Sequence, residues 1–354
     1  MAKEHVSTPI RPMGFQWHIT DNCDQRCKHC YIFGEDPTVA LYSTPFEKMK
    51  EVVDRCITYA ARYNAYPDFA ITGGDPILNP DFWKLAEYLK EKGLLFQMMG
   101  NPFHLTREIC QRLREYGCIC YQVSIDGMRE THDYFRKPGS FDATWECLPY
   151  LHDAGIESMI MSTVSQRNID EIPDVIDEAV KHRAATYTFA RYVPTGPDKT
   201  SLISPLEYRA FLDKVYKKFE SYRSKPCWTR FGEKEHLFVL YKYEEGIVKI
   251  PENAKPGVLY DGCHIGKCQC ILPDGTLIAC RRVAGSEIGN IFDDEFLDEE
   301  DVYLHLRMSY RQLNKYEDCS RCRLAQWCRG CHAVARGQSG NFFGRDPQCW
   351  HIVE

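Results

Sequence analysis

Six β-rich runs recur between Gly14 and Tyr222: GFQWHIT, DFAIT, LLFQMM, CYQVSI, ESMIMSTV and TYTFAR, each followed by a loop and a helical stretch. A crossover helix between successive strands makes those strands pair in parallel, so the pattern predicts an α/β fold of repeated βα units. The first helical stretch, TPFEKMKEVVDRCITYAARY, has Thr44 as its expected N-cap, Pro45 at the first helical position and Glu47 completing a capping box. In folds of this kind the functional loops lie at the carboxyl ends of the strands.

Three of those loops carry chemistry. The first reads TDNCDQRCKHCYIFG, with Cys23, Cys27 and Cys30 close together. A structural zinc site would close its tetrahedron with a fourth ligand, and a ferredoxin-type cluster would recruit a fourth cysteine. Three thiols leave one metal position open. The second loop, TGGDP, pairs Gly73 with Gly74, which permits close backbone approach, and adds the carboxylate of Asp75. The loop SIDG offers the hydroxyl of Ser124 and the carboxylate of Asp126. A turn that needs glycine is the ordinary explanation of either motif alone; the three together point to one site.

The chain has 354 residues, enough for two domains, and its 44% hydrophobic content can fill their cores. A net charge of -6 argues against a polyanion-binding surface, so no nucleic-acid partner is expected. The first twenty residues contain no apolar signal core, and no run approaches the roughly 18 apolar residues of a membrane span. A soluble, cytoplasmic protein with no membrane partner is expected. Eighteen cysteines are then too many for an ordinary cytosolic enzyme and lack the secretory context of a disulfide framework, which leaves metal binding. Nine of them fall between Cys263 and Cys349. There CHIGKCQCILPDGTLIAC holds a predicted hairpin turning at Asp274-Gly275, CSRCRLAQWCRGC holds two C-x2-C pairs, and DPQC comes last. Taken alone, the two pairs would also suit a zinc ribbon.

With C-x3-C-x2-C followed by the aromatic Tyr31, the chain resembles the radical S-adenosylmethionine (SAM) enzymes. The resemblance implies a partial (β/α)6 barrel in which Cys23, Cys27 and Cys30 hold a 4Fe-4S cluster whose open iron is chelated by SAM. GGDP is similar to that family's GGEP segment, which binds the methionine amino group. Asp75 stands where glutamate is usual, and the backbone carbonyls of Gly73 and Gly74 are the expected substitute contact. Ser124 and Asp126 match the strand-four segment facing the SAM ribose and carboxylate, and ETHDYFRKPGSFD resembles the stretch after that segment in the family. The C-terminal cysteines resemble the SPASM domain, which implies two auxiliary clusters and three 4Fe-4S clusters in all. By that match Cys319, Cys322, Cys328 and Cys349 bind one auxiliary cluster; Cys263, Cys280 and Cys331, with Cys268 or Cys270, bind the other. CRGC is C-x2-C, where many SPASM domains have C-x3-C, as in a subset that includes haem-synthesis relatives. The implied domains are a barrel over 1–222, a bridge over 223–262 and the SPASM domain over 263–354. Cys56, Cys110, Cys118, Cys120, Cys147 and Cys227 are expected as buried small side chains, and His18, His29 and His104 as packing or hydrogen-bonding residues.

The activity implied is reductive cleavage of SAM to methionine and a 5'-deoxyadenosyl radical that takes hydrogen from a substrate in the barrel mouth. The favoured substrate is a ribosomally made, cysteine-containing precursor peptide, cross-linked through a thioether. Two alternatives stand beside it: oxidative decarboxylation in haem synthesis, and formylglycine formation in sulfatases. Against the last, Arg281 follows Cys280 where the formylglycine-forming enzymes carry an Asp base. A non-catalytic electron carrier would have no use for the triplet, GGDP and SIDG together. Expected partners are the precursor peptide, an electron donor such as flavodoxin or ferredoxin, and a separate peptide-recognition protein, because little sequence precedes the first strand.

Overall fold

The computed structural model describes residues 11–33, 41–194, 203–251, 253–255, 257–263, 265, 268–298 and 300–352. Six parallel strands form its centre: β1 (Arg11–Thr20), β2 (Ala65–Gly73), β3 (Phe96–Met99), β4 (Cys118–Ser124), β5 (Glu157–Val164) and β6 (Thr186–Arg191). They correspond one for one to the six β-rich runs. Phe15, Trp17 and Ile19 of β1 and Phe69 and Ile71 of β2 are wholly buried, and Met49, Val52, Val53 and Cys56 of the helix Phe46–Arg62 join the same core. Apolar residues on alternate strand positions and on one helix face account for the layering.

The sheet does not stop at six strands. β7 (Arg230–Gly232) pairs in parallel with β6, and β8 (Gln269–Ile271) pairs in parallel with β1. β9 (Thr276–Ile278) and β10 (Glu287–Asn290) continue the β8 edge antiparallel, in the order β10-β9-β8-β1-β2-β3-β4-β5-β6-β7. The predicted hairpin is β8–β9; Gly275 has φ +88° and the Asp274 carboxylate accepts the Thr276 N–H at 3.0 Å. The cysteine-rich C-terminal region thus begins as an extension of the barrel sheet.

The first helix corrects one expectation. It begins at Phe46 with Pro45 as N-cap and no side-chain cap. The hydroxyl of Thr44 instead donates to the Pro273 carbonyl at 2.6 Å, and the Phe46 N–H donates to the Asp81 carboxylate at 3.2 Å. A buried tertiary acceptor has taken the group that would have capped the helix.

A buried ionic network joins β6 to the C-terminal segment. Arg191, whose side chain is 1% exposed, makes bidentate contacts to Glu235 (2.8 and 3.0 Å) and to Asp346 (2.6 and 2.7 Å). Asp346 also accepts the Cys331 N–H at 2.7 Å. Removing one partner of a buried pair strands the other's charge, so Asp346→Ala is expected to cost about 3–5 kcal/mol in denaturant unfolding of the cluster-loaded protein. An unchanged unfolding midpoint would show that the network carries no stability. Among the described residues no helix is long and apolar enough to cross a membrane.

Candidate functional site

The chemistry-bearing loops converge at the carboxyl end of the parallel strands. The paired glycines explain how: Gly73 has φ +132°, and a Cβ there would collide with the Thr20 carbonyl, as one on Gly74 would with that of Asn22. The Gly74 N–H donates to Thr20 O and the Asp75 N–H to Asn22 O, both at 2.7 Å. The GGDP turn is pressed against the residues immediately before Cys23. Farther along, Gln25 donates to the Ser140 hydroxyl at 2.6 Å and the Lys28 N–H to the Phe135 carbonyl at 2.8 Å, tying the cysteine loop to the segment after β4.

Cys23, Cys27 and Cys30 lie together, and burial pushes the Cys27 thiol up to about 12. A metal would remove those protons, because thiolates are the ligands and binding releases protons. One cation is already in place, with the Arg136 guanidinium 3.6 Å from Cys27 Sγ. Asp126 fixes that arginine: its fully buried carboxylate accepts from Arg136 Nε at 2.6 Å and from the Thr163 N–H at 2.7 Å, and His29 Nε2 lies 3.3 Å away. Burial alone would raise this carboxyl; Arg136 and His29 hold it down at about 2.

Not every expected site residue faces the cavity. Gly73, Gly74, Tyr31 and Ser124 line a chamber of about 350 Å³ together with Cys23, Cys27 and Cys30. Asp75 is wholly buried behind it, accepting the Ile77 N–H at 3.3 Å, with Oδ2 4.0 Å from His104. Asp126 is taken up by Arg136 and His29. The tyrosine hydroxyl of Tyr31 meets His18 at 3.4 Å, and the Arg281 guanidinium lies over its ring. Cys56, Cys110, Cys118 and Cys147 are buried in the core; Cys120 and Cys227 are half-buried.

The C-terminal thiols fall into distinct groups. Cys319, Cys322, Cys328 and Cys349 lie together, with Cys319 pushed up to about 12 by burial and its neighbouring thiols. Cys263, Cys280 and Cys331 surround the buried guanidinium of Arg282, which approaches Cys331 Sγ at 3.5 Å. Cys268 and Cys270 pair with each other on the β8 edge, where Cys270 Sγ is 3.9 Å from the Gln16 side chain of β1. Cys263, Cys268, Cys270 and Cys280 all line the chamber that holds the N-terminal triplet. Lys234, an exposed residue, lines it too.

Sequence reasoning missed the cations Arg136, Arg282 and Lys234. Two of them stood beside recognised signals: Arg136 within ETHDYFRKPGSFD and Arg282 two positions after Cys280.

Residues 17–179 match the family model of the radical SAM superfamily. The chain carries a radical SAM domain. Over 94% of its length and 90% of the relative's, the chain is 28% identical to an AdoMet-dependent heme synthase of Nitratidesulfovibrio vulgaris. It is 24% identical to the mycofactocin maturase MftC of Mycolicibacterium smegmatis, over 96% of this chain and 82% of that protein. In fold, the radical SAM domain and the cysteine-rich region after it superpose on Streptococcus suis SuiB bound to its precursor peptide SuiA, with a TM-score of 0.72 at 17% identity, covering 96% of this chain and 76% of SuiB. In fold, then, a radical SAM domain is followed by a cysteine-rich region.

Proposed function

We propose that this radical SAM enzyme matures a ribosomally made, cysteine-containing peptide by closing a thioether within it, and that three 4Fe-4S clusters serve the reaction. The observation that carries the reading is the shared chamber: Cys23, Cys27 and Cys30 line it on one side, and Cys263 and Cys280 line it as well. The N-terminal triad leaves one metal position for SAM, and Cys263, Cys280 and Cys331, with Cys268 or Cys270, would hold an auxiliary cluster facing the same chamber. The residues fit clusters: each triad already has an arginine against its sulfurs, and four thiols are gathered in the third group. When bound, the cluster and SAM supply a carbon-centred radical that takes a hydrogen atom from the substrate.

The chain's own residues position and insulate. Asp126 orients Arg136 beside Cys27, Gln25 and Lys28 anchor the loop, and the Gly73-Gly74 backbone lines the chamber where the methionine end of SAM is expected. Holding reactants in one buried geometry and excluding water are the protein's share of cofactor chemistry. An external electron donor such as flavodoxin or ferredoxin is proposed as the source of the reducing electron, and a separate protein as an aid to peptide capture.

Oxidative decarboxylation is the second reading, favoured by the 28% identity to a heme synthase over 94% of the chain. One experiment separates the two. Reconstituted enzyme, SAM and a low-potential reductant are incubated with cysteine-containing precursor candidates and, separately, with iron coproporphyrin III. Each thioether removes one hydrogen from sulfur and one from carbon, so the peptide mass falls by that pair and the cysteine stops reacting with an alkylating agent. Unmodified peptides with a porphyrin that loses carbon dioxide would replace the thioether reading.

A further inference from the structure

Two chains of contacts run from Asp126 to the loop that carries Cys23, Cys27 and Cys30. The first leaves from its carboxylate and passes through Arg136 to Cys27. The second leaves from its backbone: the Asp126 N–H donates to His132 Nδ1 at 3.1 Å, His132 Nε2 lies 3.0 Å from the Ser140 hydroxyl, and Gln25 donates to that same hydroxyl at 2.6 Å. Asp126, His132 and Ser140 are wholly buried, and Gln25 nearly so. Gln25 stands midway between Cys23 and Cys27 in sequence and lines the chamber with them.

The backbone fixes the state of this imidazole. An amide N–H can only donate, so Nδ1 carries no proton; the ring's one proton is on Nε2 and is donated to Ser140. A doubly protonated ring would set Nδ1–H against the amide N–H. Burial, then the Arg136 guanidinium, hold the imidazole down at about 4, which keeps it neutral. A planar ring bonded at both nitrogens has one orientation, and a fully satisfied buried network is rigid.

We propose that His132, as the neutral Nε2–H tautomer, is a positioning residue for SAM cleavage: with Ser140 it sets where the cysteine loop stands relative to the SIDG turn, on which the ribose and carboxylate of SAM are expected. The inference rests on the reading that Cys23, Cys27 and Cys30 hold the cluster that binds SAM; it is independent of which substrate is modified. Displacing reacting groups by about 1 Å can cost about 100-fold in rate, so a relay that holds the loop in register serves the cleavage itself.

The test compares Ser140→Ala, His132→Phe and the double variant with the unmodified enzyme. Each is reconstituted with iron and sulfide, and rates are expressed per cluster-loaded chain that is folded by circular dichroism. Each single change is expected to slow 5'-deoxyadenosine formation at saturating SAM by about 10–100-fold, the range for partners standing behind metal ligands. Because the two side chains act through one relay, the double variant should be no slower than the worse single one. The difference that SAM makes to the electron paramagnetic resonance spectrum of the reduced enzyme should be altered in every variant, while iron content stays that of the unmodified protein. Ser140→Ala keeps the proposal falsifiable if His132→Phe does not fold. A normal rate and a normal SAM difference spectrum in Ser140→Ala would overturn the proposal. So would losses that multiply in the double variant, or a rate that falls only in proportion to lost iron or lost folded protein. The reading beneath it fails separately: replacing Cys23, Cys27 and Cys30 by alanine would then leave both the iron content and deoxyadenosine formation unchanged.

Discussion

Replacing Cys30 with alanine is expected to abolish formation of 5'-deoxyadenosine from SAM under reducing conditions. The loop around it is held by contacts that do not use the Cys30 side chain: Gln25 to Ser140, Lys28 N–H to Phe135, and the GGDP turn against Thr20 and Asn22. The variant therefore folds, and it lacks one of three thiolates in a site with none to spare. Removing a group behind a metal ligand typically costs about 10–100-fold, and removing a ligand from an already open site should cost more, taking the product below detection. Asp75→Ala provides the contrast. Its carboxylate is turned toward Ile77 N–H and His104, and the chamber is lined by Gly73 and Gly74 instead, so SAM affinity should fall by no more than about tenfold. Deoxyadenosine formed by Cys30→Ala at the normal rate would contradict the assignment of the triplet.

Cys280→Ala is expected to separate SAM cleavage from product formation. Cys280 belongs to the triad around Arg282, apart from the triplet that Arg136 serves. Its loss should remove one cluster's worth of iron and leave Arg282 without one of its thiolates. Deoxyadenosine should still form, uncoupled, while modified peptide disappears. Liquid chromatography of the nucleoside beside mass spectrometry of the peptide reads both. Unimpaired peptide modification by Cys280→Ala would remove the auxiliary triad from the mechanism.

Much of this site was legible in the sequence because its signals are local. Cys23, Cys27, Cys30 and Tyr31 sit within one loop, and ESMIMSTV and TYTFAR became β5 and β6 without change of boundary. The features that escaped were set by contacts distant in sequence. The three residues of β7 are a strand only because β6 supplies the partners, and β8 only because β1 does. The Thr44 hydroxyl found Pro273, more than two hundred positions away, and so left its helix uncapped. Asp126 reads in sequence as a free carboxylate, but Arg136 and His29 claim it once the chain is folded. Lys234 carries no motif at all, and only the folded chain brings it to the chamber of the cysteines.

The account stands on the cysteines being divided among three clusters, and the most direct measurement is iron and sulfide content of the anaerobically reconstituted chain, read beside its Mössbauer spectrum. Iron and sulfide equal to three four-iron clusters per chain are predicted, falling by one cluster when Cys23, Cys27 and Cys30 are all replaced by alanine. A single cluster, or stoichiometric zinc held by Cys319, Cys322, Cys328 and Cys349, would contradict it.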